Sequence, residues 1–372
     1  MIADDRSDRH SARVFVVEAD GSMRDLPRTR LATLFDPGDL IVANDAATLP
    51  ASLHGTHVPS GEAIEIRLAG WLSLPDPTRF VAIAFGSGDH RTRTEDRLPP
   101  PALSTGDRLR LGPLEAVVER LLDHPRLLEL CFPGNRAAVL AGMAQHGRPI
   151  QYAHVPEPLA LWDVWTKIAA RPFAFEAPSA GFALDWRTLQ AWRRLEVGFA
   201  ALTHAAGVSS TGDPALDSRL PFDEPYRIPE RTAAQVARAK LRGSSIIAIG
   251  TSVVRALEAA ANPDGSVRAG NGTATGRIAR GTPLRVVDAI LTGVHQSGES
   301  HFELLRAFAD DALLAKASAA LTASRYRAHE FGDSVLLNAN RCFYRRGQNL
   351  PEVLETKPPD RRCSRLSHCS LP

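Results

Sequence analysis

Ile246-Ile-Ala-Ile-Gly-Thr-Ser-Val-Val-Arg-Ala-Leu-Glu258 carries four apolar residues straight into Gly-Thr-Ser, and a helical pattern follows. A short apolar run closed by glycine predicts a buried strand, a tight turn and a helix opening on small hydroxyl residues. At such a turn, backbone N–H groups and the positive helix end point the same way. Gly250, Thr251 and Ser252 are therefore candidates to hold an anionic or carbonyl-bearing small molecule. Arg255, about one turn in, offers a planar cation. The segment equally fits an ordinary βα unit in which Thr251 or Ser252 only caps the helix.

Working outward, the α/β pattern extends from about residue 159. Leu184 to Leu195 has Trp186, Leu189, Trp192 and Leu195 at helical spacing, which predicts a buried face. Pro229 to Arg242 reads as a helix with proline near its start. Downstream come a Gly/Asn-rich turn (262–276), a strand over Leu284–Leu291, a helix over Glu303–Ala320 and a last strand over Ser334–Leu337. Nearer the N-terminus, Leu31 to Phe35 look helical, and Leu40-Ile-Val-Ala43 is a buried strand that ends on Asn44-Asp45.

Residues 50–150 differ. Short runs recur at Ala63–Leu68, Phe80–Phe85, Arg108–Leu111, Leu114–Glu119 and Leu127–Phe132, separated by Gly, Pro, Asp and His. Strands at this spacing predict an antiparallel barrel or sandwich. Arg136 to His146 returns to a helical period. The layout is an α/β domain split by an inserted β domain: 1–52 and 151–345 form the first, 53–150 the second. Residues 346–372, rich in Arg, Pro and Ser, read as a disordered tail.

Composition fits this picture. The chain has 372 residues, 44% apolar and 23% charged, with a net charge of +2, which suits a soluble globular protein and argues against broad non-specific nucleic-acid binding. No run of about 18 apolar residues predicts a membrane span. The first residues lack the apolar core of a signal peptide. Cys131, Cys342, Cys363 and Cys369 show no paired CxxC spacing, so free thiols in a reducing cytoplasm are expected. Cys363 and Cys369 flank His368 without a fourth ligand at matching spacing, and no metal is expected. Walker, HExxH, GxSxG and GxGxxG motifs do not occur, which counts against kinase, zinc-protease, hydrolase and Rossmann readings.

Four further places concentrate polar chemistry. Asn44-Asp45 closes a buried strand, where ligand crevices of open α/β sheets lie. Pro178-Ser-Ala-Gly181 allows close backbone approach, through Ser179 and Gly181. His204 precedes the polar loop Gly207–Asp213, a setting for a general acid or base. His295 ends Leu291-Thr-Gly-Val-His295, with Glu299-Ser-His301 after it.

In order, these segments resemble the S-adenosylmethionine:tRNA ribosyltransferase-isomerase family of queuosine biosynthesis. Pro37–Asp45 with Pro50-Ala51 is similar to its PGDLLVxND…PA signature. Gly147–Tyr152 occupies the place of its PLPPYI segment, and Ala177–Gly181 resembles APTAG. Glu224, Tyr226 and Ile228 match ExYxI, and Ile249–Arg255 resembles VGTTSVR. Asp288 with Leu291–His295 is similar to DxLLTNFH, and Tyr326-Arg327 with Phe331-Gly-Asp333 to YRFFSYGD.

The resemblance implies a mixed-sheet α/β domain interrupted by an antiparallel β-barrel. It also implies a reaction: the ribosyl portion of S-adenosylmethionine moves onto the aminomethyl group of a 7-deazaguanine base in tRNA, adenine and methionine leave, and epoxyqueuosine forms. S-adenosylmethionine is the ribosyl donor and tRNA the partner; a cytoplasmic monomer is expected. The chemistry calls for proton transfer and for groups that hold ribose and carboxylate. His295, His204, Glu224 and Asp288 are the catalytic candidates. Gly250, Thr251, Ser252, Arg255, Asn44, Asp45, Ser179 and Gly181 are the binding candidates. Some family positions differ: Ala46-Ala47-Thr48 replaces Thr-Arg-Val, Ala183 replaces a histidine, and the Asn, Pro and Lys of TNFHLPKST are gone. Those changes also fit a second reading, a paralog that binds S-adenosylmethionine or RNA without this catalysis, or that acts on another nucleoside.

Overall fold

A computed structural model describes residues 1–3, 11–74, 76–296 and 298–338. The strands, in chain order, begin with β1 (Arg13–Val17), β2 (Met23–Pro27), β3 (Leu40–Asn44) and β4 (Ala46–Thr48). Then come β5 (Ser52–His57), β6 (Ala63–Trp71), β7 (Arg79–Phe85), β8 (Arg108–Leu111), β9 (Leu114–Leu121), β10 (Leu127–Cys131) and helix α1 (Arg136–His146). After β11 (Arg171–Ala174) follow α2 (Trp186–Arg194), β12 (Gly198–His204), α3 (Pro214–Asp217), β13 (Glu224–Ile228) and α4 (Glu230–Leu241). The remainder is β14 (Ile246–Ile249), α5 (Thr251–Ala259), β15 (Gly270–Ala274), β16 (Ala289–Gly293), α6 (Ser300–Leu305), α7 (Asp311–Ala323) and β17 (Ser334–Asn338).

Nine strands form one mixed sheet in the order β15-β13-β12-β3-β14-β16-β17-β1-β2. Its centre, β12-β3-β14-β16, is parallel. Strands buried on both faces must be apolar throughout, and Ile246–Ile249 and Leu40–Ala43 are. Antiparallel neighbours flank the centre: β13 beside β12, and β17 beside β16. The carboxyl ends of the four parallel strands therefore share one edge with the start of β17. Two aspartates hold the opposite edge. Asp39 accepts from Ser245 N–H at 2.8 Å, and Asp288 accepts from Ile246 N–H at 2.9 Å.

Strands β5 to β10 close into a six-stranded barrel, β10-β7-β6-β5-β8-β9, antiparallel throughout. The fold is thus the expected α/β sheet interrupted by a barrel. The barrel core does not end with the barrel strands. Phe175, Ala205, Val208, Leu216 and Leu220, from the sheet's carboxyl edge, belong to the same apolar cluster. Trp71 also donates its indole N–H to the Phe173 carbonyl at 3.0 Å. These contacts seat the barrel over the edge where a ligand crevice belongs.

Several local expectations need correction. Trp192 is fully buried, but Trp186 and Leu195 are 62% and 41% exposed, because α2 is too short to bury more than its central turn. Glu303–Ala320 is two helices, parted between Leu305 and Asp311 where Asp310 caps α7 by accepting from Leu313 N–H. The strand expected from Leu284 starts only at Ala289, and the helix expected over Leu31–Phe35 is a 3-10 turn, Arg28–Thr33, that ends before Phe35. Strands β1 and β2 were hidden by a polar N-terminus. The tail from 346, with Cys363, His368 and Cys369, lies outside the described residues, as does Cys342. Among the described residues no helix is long and apolar enough to cross a membrane.

Candidate functional site

A cavity of about 1230 Å³ opens at the carboxyl edge of the sheet, between it and the barrel exit. Gly250 starts one wall. Its backbone, at φ +91° and ψ 159°, is a glycine conformation, and a Cβ there would sit 3.2 Å from Ala180 Cβ. The turn delivers α5 with no side-chain cap and no acidic residue in its first turn. Its leading N–H groups therefore lack side-chain partners and face the cavity beside Thr251 and Ser252. Neither hydroxyl is the cap. Ser252 Oγ accepts from Asn44 Nδ2 at 3.4 Å, which leaves its own proton free to donate.

Asn44 itself stands behind the wall. Its Oδ1 accepts from the N–H of His204 and of Ala46, both at 3.0 Å, and its Nδ2 donates to the His204 carbonyl at 3.0 Å. It clamps β3 to β12. Asp45 is also off the wall, accepting from Thr203 Oγ1 at 2.6 Å, and burial raises its pKa. Ser179 lines the cavity; Gly181 is packed against Thr166 instead.

Arg255 is 5% exposed. Its Nη2 donates to the carbonyls of Phe222 (3.2 Å) and Ala274 (2.9 Å), and its Nη1 pairs with Glu224 Oε2 at 3.0 Å. The guanidinium is thus committed to the protein. Glu224 also accepts from Gly207 N–H at 2.7 Å. Burial raises its pKa and outweighs Arg255 beside it. His204 Nε2 lies 3.4 Å from Glu224, with the ring wholly inaccessible. Burial and then Arg255 hold His204 neutral, at about 3. His204 does not line the cavity.

His295 is placed differently. It lines the cavity, with Nε2 2.9 Å from Thr292 Oγ1 and Nδ1 3.5 Å from Glu299 Oε2. Burial pushes Glu299 up, but hydrogen bonds from His295 and the Gln296 N–H bring it below its ordinary value. His301 stacks on His295 at 4.9 Å, and burial, then His295, drops it to about 3. His301 therefore stays neutral beside His295.

Asp288 does not belong to this wall. It precedes β16 and pairs with Lys240 Nζ at 3.5 Å while it holds Ile246 N–H. At about 3.3 Å per residue, the length of β14 separates it from Gly250. A motif that spans one whole strand puts its two polar ends on opposite edges of the sheet.

The facing wall was not singled out from sequence. Tyr152 O–H donates to Glu176 Oε1 and lies within reach of the Ser210 carbonyl at 3.2 Å. Burial pushes Glu176 up to about 7, against hydrogen bonds from Tyr152 and Ser209. His154, His329 and Glu330 complete it. Tyr152 stood in the Gly147–Tyr152 segment, but nothing in the spacing ties it to residues 176 or 329–330.

Comparison with known proteins identifies relatives of this chain. Residues 2–337 match the family described as Queuosine biosynthesis protein. A relative from Thiobacillus denitrificans named S-adenosylmethionine:tRNA ribosyltransferase-isomerase is 31% identical, over 88% of this chain and 91% of its own. One of the same name from Sorangium cellulosum is 32% identical, over 89% and 93%. A crystal structure titled S-adenosylmethionine tRNA ribosyltransferase, from Thermotoga maritima, is similar at a TM-score of 0.48 and 20% identity, covering 90% of this chain and 95% of that one. The match to the family model and to these relatives runs through sheet, barrel and cavity alike, and the chain belongs to the queuosine biosynthesis protein family.

Proposed function

We propose that this protein is a transferase and isomerase that moves the ribosyl moiety of S-adenosylmethionine onto the 7-aminomethyl-7-deazaguanine base of tRNA, giving epoxyqueuosine and releasing adenine and methionine. The observation that carries the reading is the placement of an uncapped helix N-terminus and His295 on one wall of a single large cavity. The cavity exceeds the roughly 300–1,000 Å³ of common small-molecule clefts, which leaves room for a nucleobase beside the donor.

In this reading the N–H groups at the start of α5, Thr251 and Ser252, take the methionine carboxylate or a ribose hydroxyl. His295, oriented by Glu299 and Thr292, takes the proton beside the sulfonium. Glu176, whose pKa near 7 keeps a proton available, assists departing adenine from the opposite wall. Asn44 and His204 act behind the wall, and the Glu224–Arg255 pair, on the cavity wall itself, positions α5 and the start of β13. Asp45 and Asp288 serve the scaffold.

The test is incubation with S-adenosylmethionine and tRNA that carries the 7-aminomethyl base. Adenine and methionine should appear together, and only with that tRNA. Folded protein that releases neither refutes the function. His295→Ala should abolish release while the melting transition stays in place; an active variant removes His295 from the mechanism.

A further inference from the structure

His154, His329 and Glu330 bring two imidazole nitrogens and a carboxylate oxygen within 4.8 Å of one another on the cavity wall. The three come from distant segments. His154 follows the barrel helix α1, and His329-Glu330 immediately precede β17, whose first residue pairs with Gly293 at the sheet's carboxyl edge. The polar atoms are already close: His154 Nε2 lies 2.7 Å from Glu330 Oε2, and the His154 and His329 rings stack at 4.1 Å.

Two features show that this meeting is built into the fold. The first is an apolar fastener. Val155, next to His154, and Phe331, next to Glu330, are 3% and 1% exposed and share one small cluster with Phe182 and Ala3. Phe182 stacks on Phe331 at 5.5 Å. The second is a locked turn with a strained residue in it. Asp333 accepts from the N–H of Arg327 and of Arg13, both at 2.7 Å, and Gly332 N–H donates to the His329 carbonyl at 3.0 Å. Inside this turn His329 adopts φ +72°, the left-handed region, uncommon outside glycine although histidine enters it more readily than most residues. Backbone strain of this kind persists where the surroundings over-determine it, and it clusters at functional sites.

We propose that His154, His329 and Glu330 form a site for one divalent transition-metal ion, with its open coordination positions toward the cavity. Imidazole and carboxylate together suit ions of the zinc, iron, cobalt and nickel class, and three protein ligands leave positions for water or a substrate oxygen. Bonds of about 2.0–2.2 Å to each donor need shifts well under the length of a side chain, because the donors already converge. The proposal stands independently of the reaction proposed above.

The test uses the full chain, stripped with chelator and titrated with Zn²⁺ by calorimetry and with Co²⁺ by absorption. One equivalent should bind, with a cobalt spectrum that lacks thiolate charge transfer. His154→Ala and His329→Ala should each weaken binding by more than the roughly 10–100-fold that loss of an outer-shell partner costs. Circular dichroism establishes that the variants fold, and Glu330→Gln supplies a third, near-isosteric variant. Two results overturn the site. One is the absence of saturable binding, which leaves the cluster as a hydrogen-bonded stack. The other is binding that survives all three variants but vanishes in Cys363→Ser/Cys369→Ser, which assigns it to the tail.

Discussion

Replacing Arg255 with methionine should make the stability of this protein depend on pH in a way that identifies what the arginine does. Methionine keeps an unbranched, adaptable side chain in the buried space and removes the charge. Two costs follow. The carbonyls of Phe222 and Ala274 lose their guanidinium donor, which leaves buried acceptors at about 1–3 kcal/mol each when nothing replaces it. Glu224 also loses its cation, and an unpaired buried charge costs about 3–5 kcal/mol while it stays ionised. Only the second cost responds to pH. Burial already holds the Glu224 pKa above its unfolded value of 4.5. The native state therefore keeps the proton more tightly, and stability falls as pH rises from the unfolded value through the folded one. Without Arg255 the folded value climbs further, and the loss extends toward neutrality at about 1.4 kcal/mol per unit. Urea unfolding at about pH 5.5 and about pH 8 measures this directly. The penalty should exceed 1 kcal/mol at the acidic end and be larger by at least about 1.4 kcal/mol at the alkaline end. Adding Glu224→Gln should flatten the difference. A penalty of the same size at both pH values would refute the pairing as the role of Arg255.

Three other changes probe the rest of the site. Gly250→Ala, at φ +91° and against Ala180, should cost about 1–3 kcal/mol in thermal or urea unfolding and lower tRNA-dependent adenine release; wild-type stability and release would show that the turn tolerates a Cβ. Asp288→Ala should cost about 1.5–3 kcal/mol, since a charged acceptor leaves Ile246 N–H, yet keep kcat unchanged at permissive temperature; a collapse of kcat in folded protein would return Asp288 to the active site. Glu176→Gln removes a carboxyl whose folded pKa, about 7, stands above its unfolded 4.5. Wild-type stability should therefore fall relative to the variant as pH rises across that window and run parallel above it, and a constant difference in melting temperature would contradict the assignment.

The parts legible in the sequence are those governed by local pattern. Ile246–Ile249 and Leu40–Ala43 announce central parallel strands because burial on both faces demands unbroken apolar runs. The barrel strands Arg108–Leu111 and Leu114–Leu121 alternate, as strands with one solvated face do. Strands β1 and β2 escaped because Met23–Pro27 is an edge strand with no buried residue and its partner follows a charged stretch. Strand β15, Gly270–Ala274, escaped because its glycines carry no strand signal at all. The pairing with β13 makes it a strand, and pairing is a property of the folded chain.

The site divides along the same line. Gly250, Thr251, Ser252 and His295 were visible because each closes a strand at the carboxyl edge, and topology sends every such residue to one crevice. Strand ends, however, do not say which way a side chain turns. Asn44 and His204 close strands too, yet the Asn44 side-chain amide bonds the His204 backbone N–H and carbonyl, and neither residue lines the cavity. Glu224, one strand further out, reaches the cavity only with Arg255 and Gly207 holding its oxygens. The opposite wall obeys no strand rule. It consists of the barrel exit at Tyr152–His154 and the turn at His329-Glu330, which meet because Val155 and Phe331 bury together. An apolar contact between segments some 175 residues apart places the polar groups beside it, so the chemistry of that wall is set by packing that no motif records.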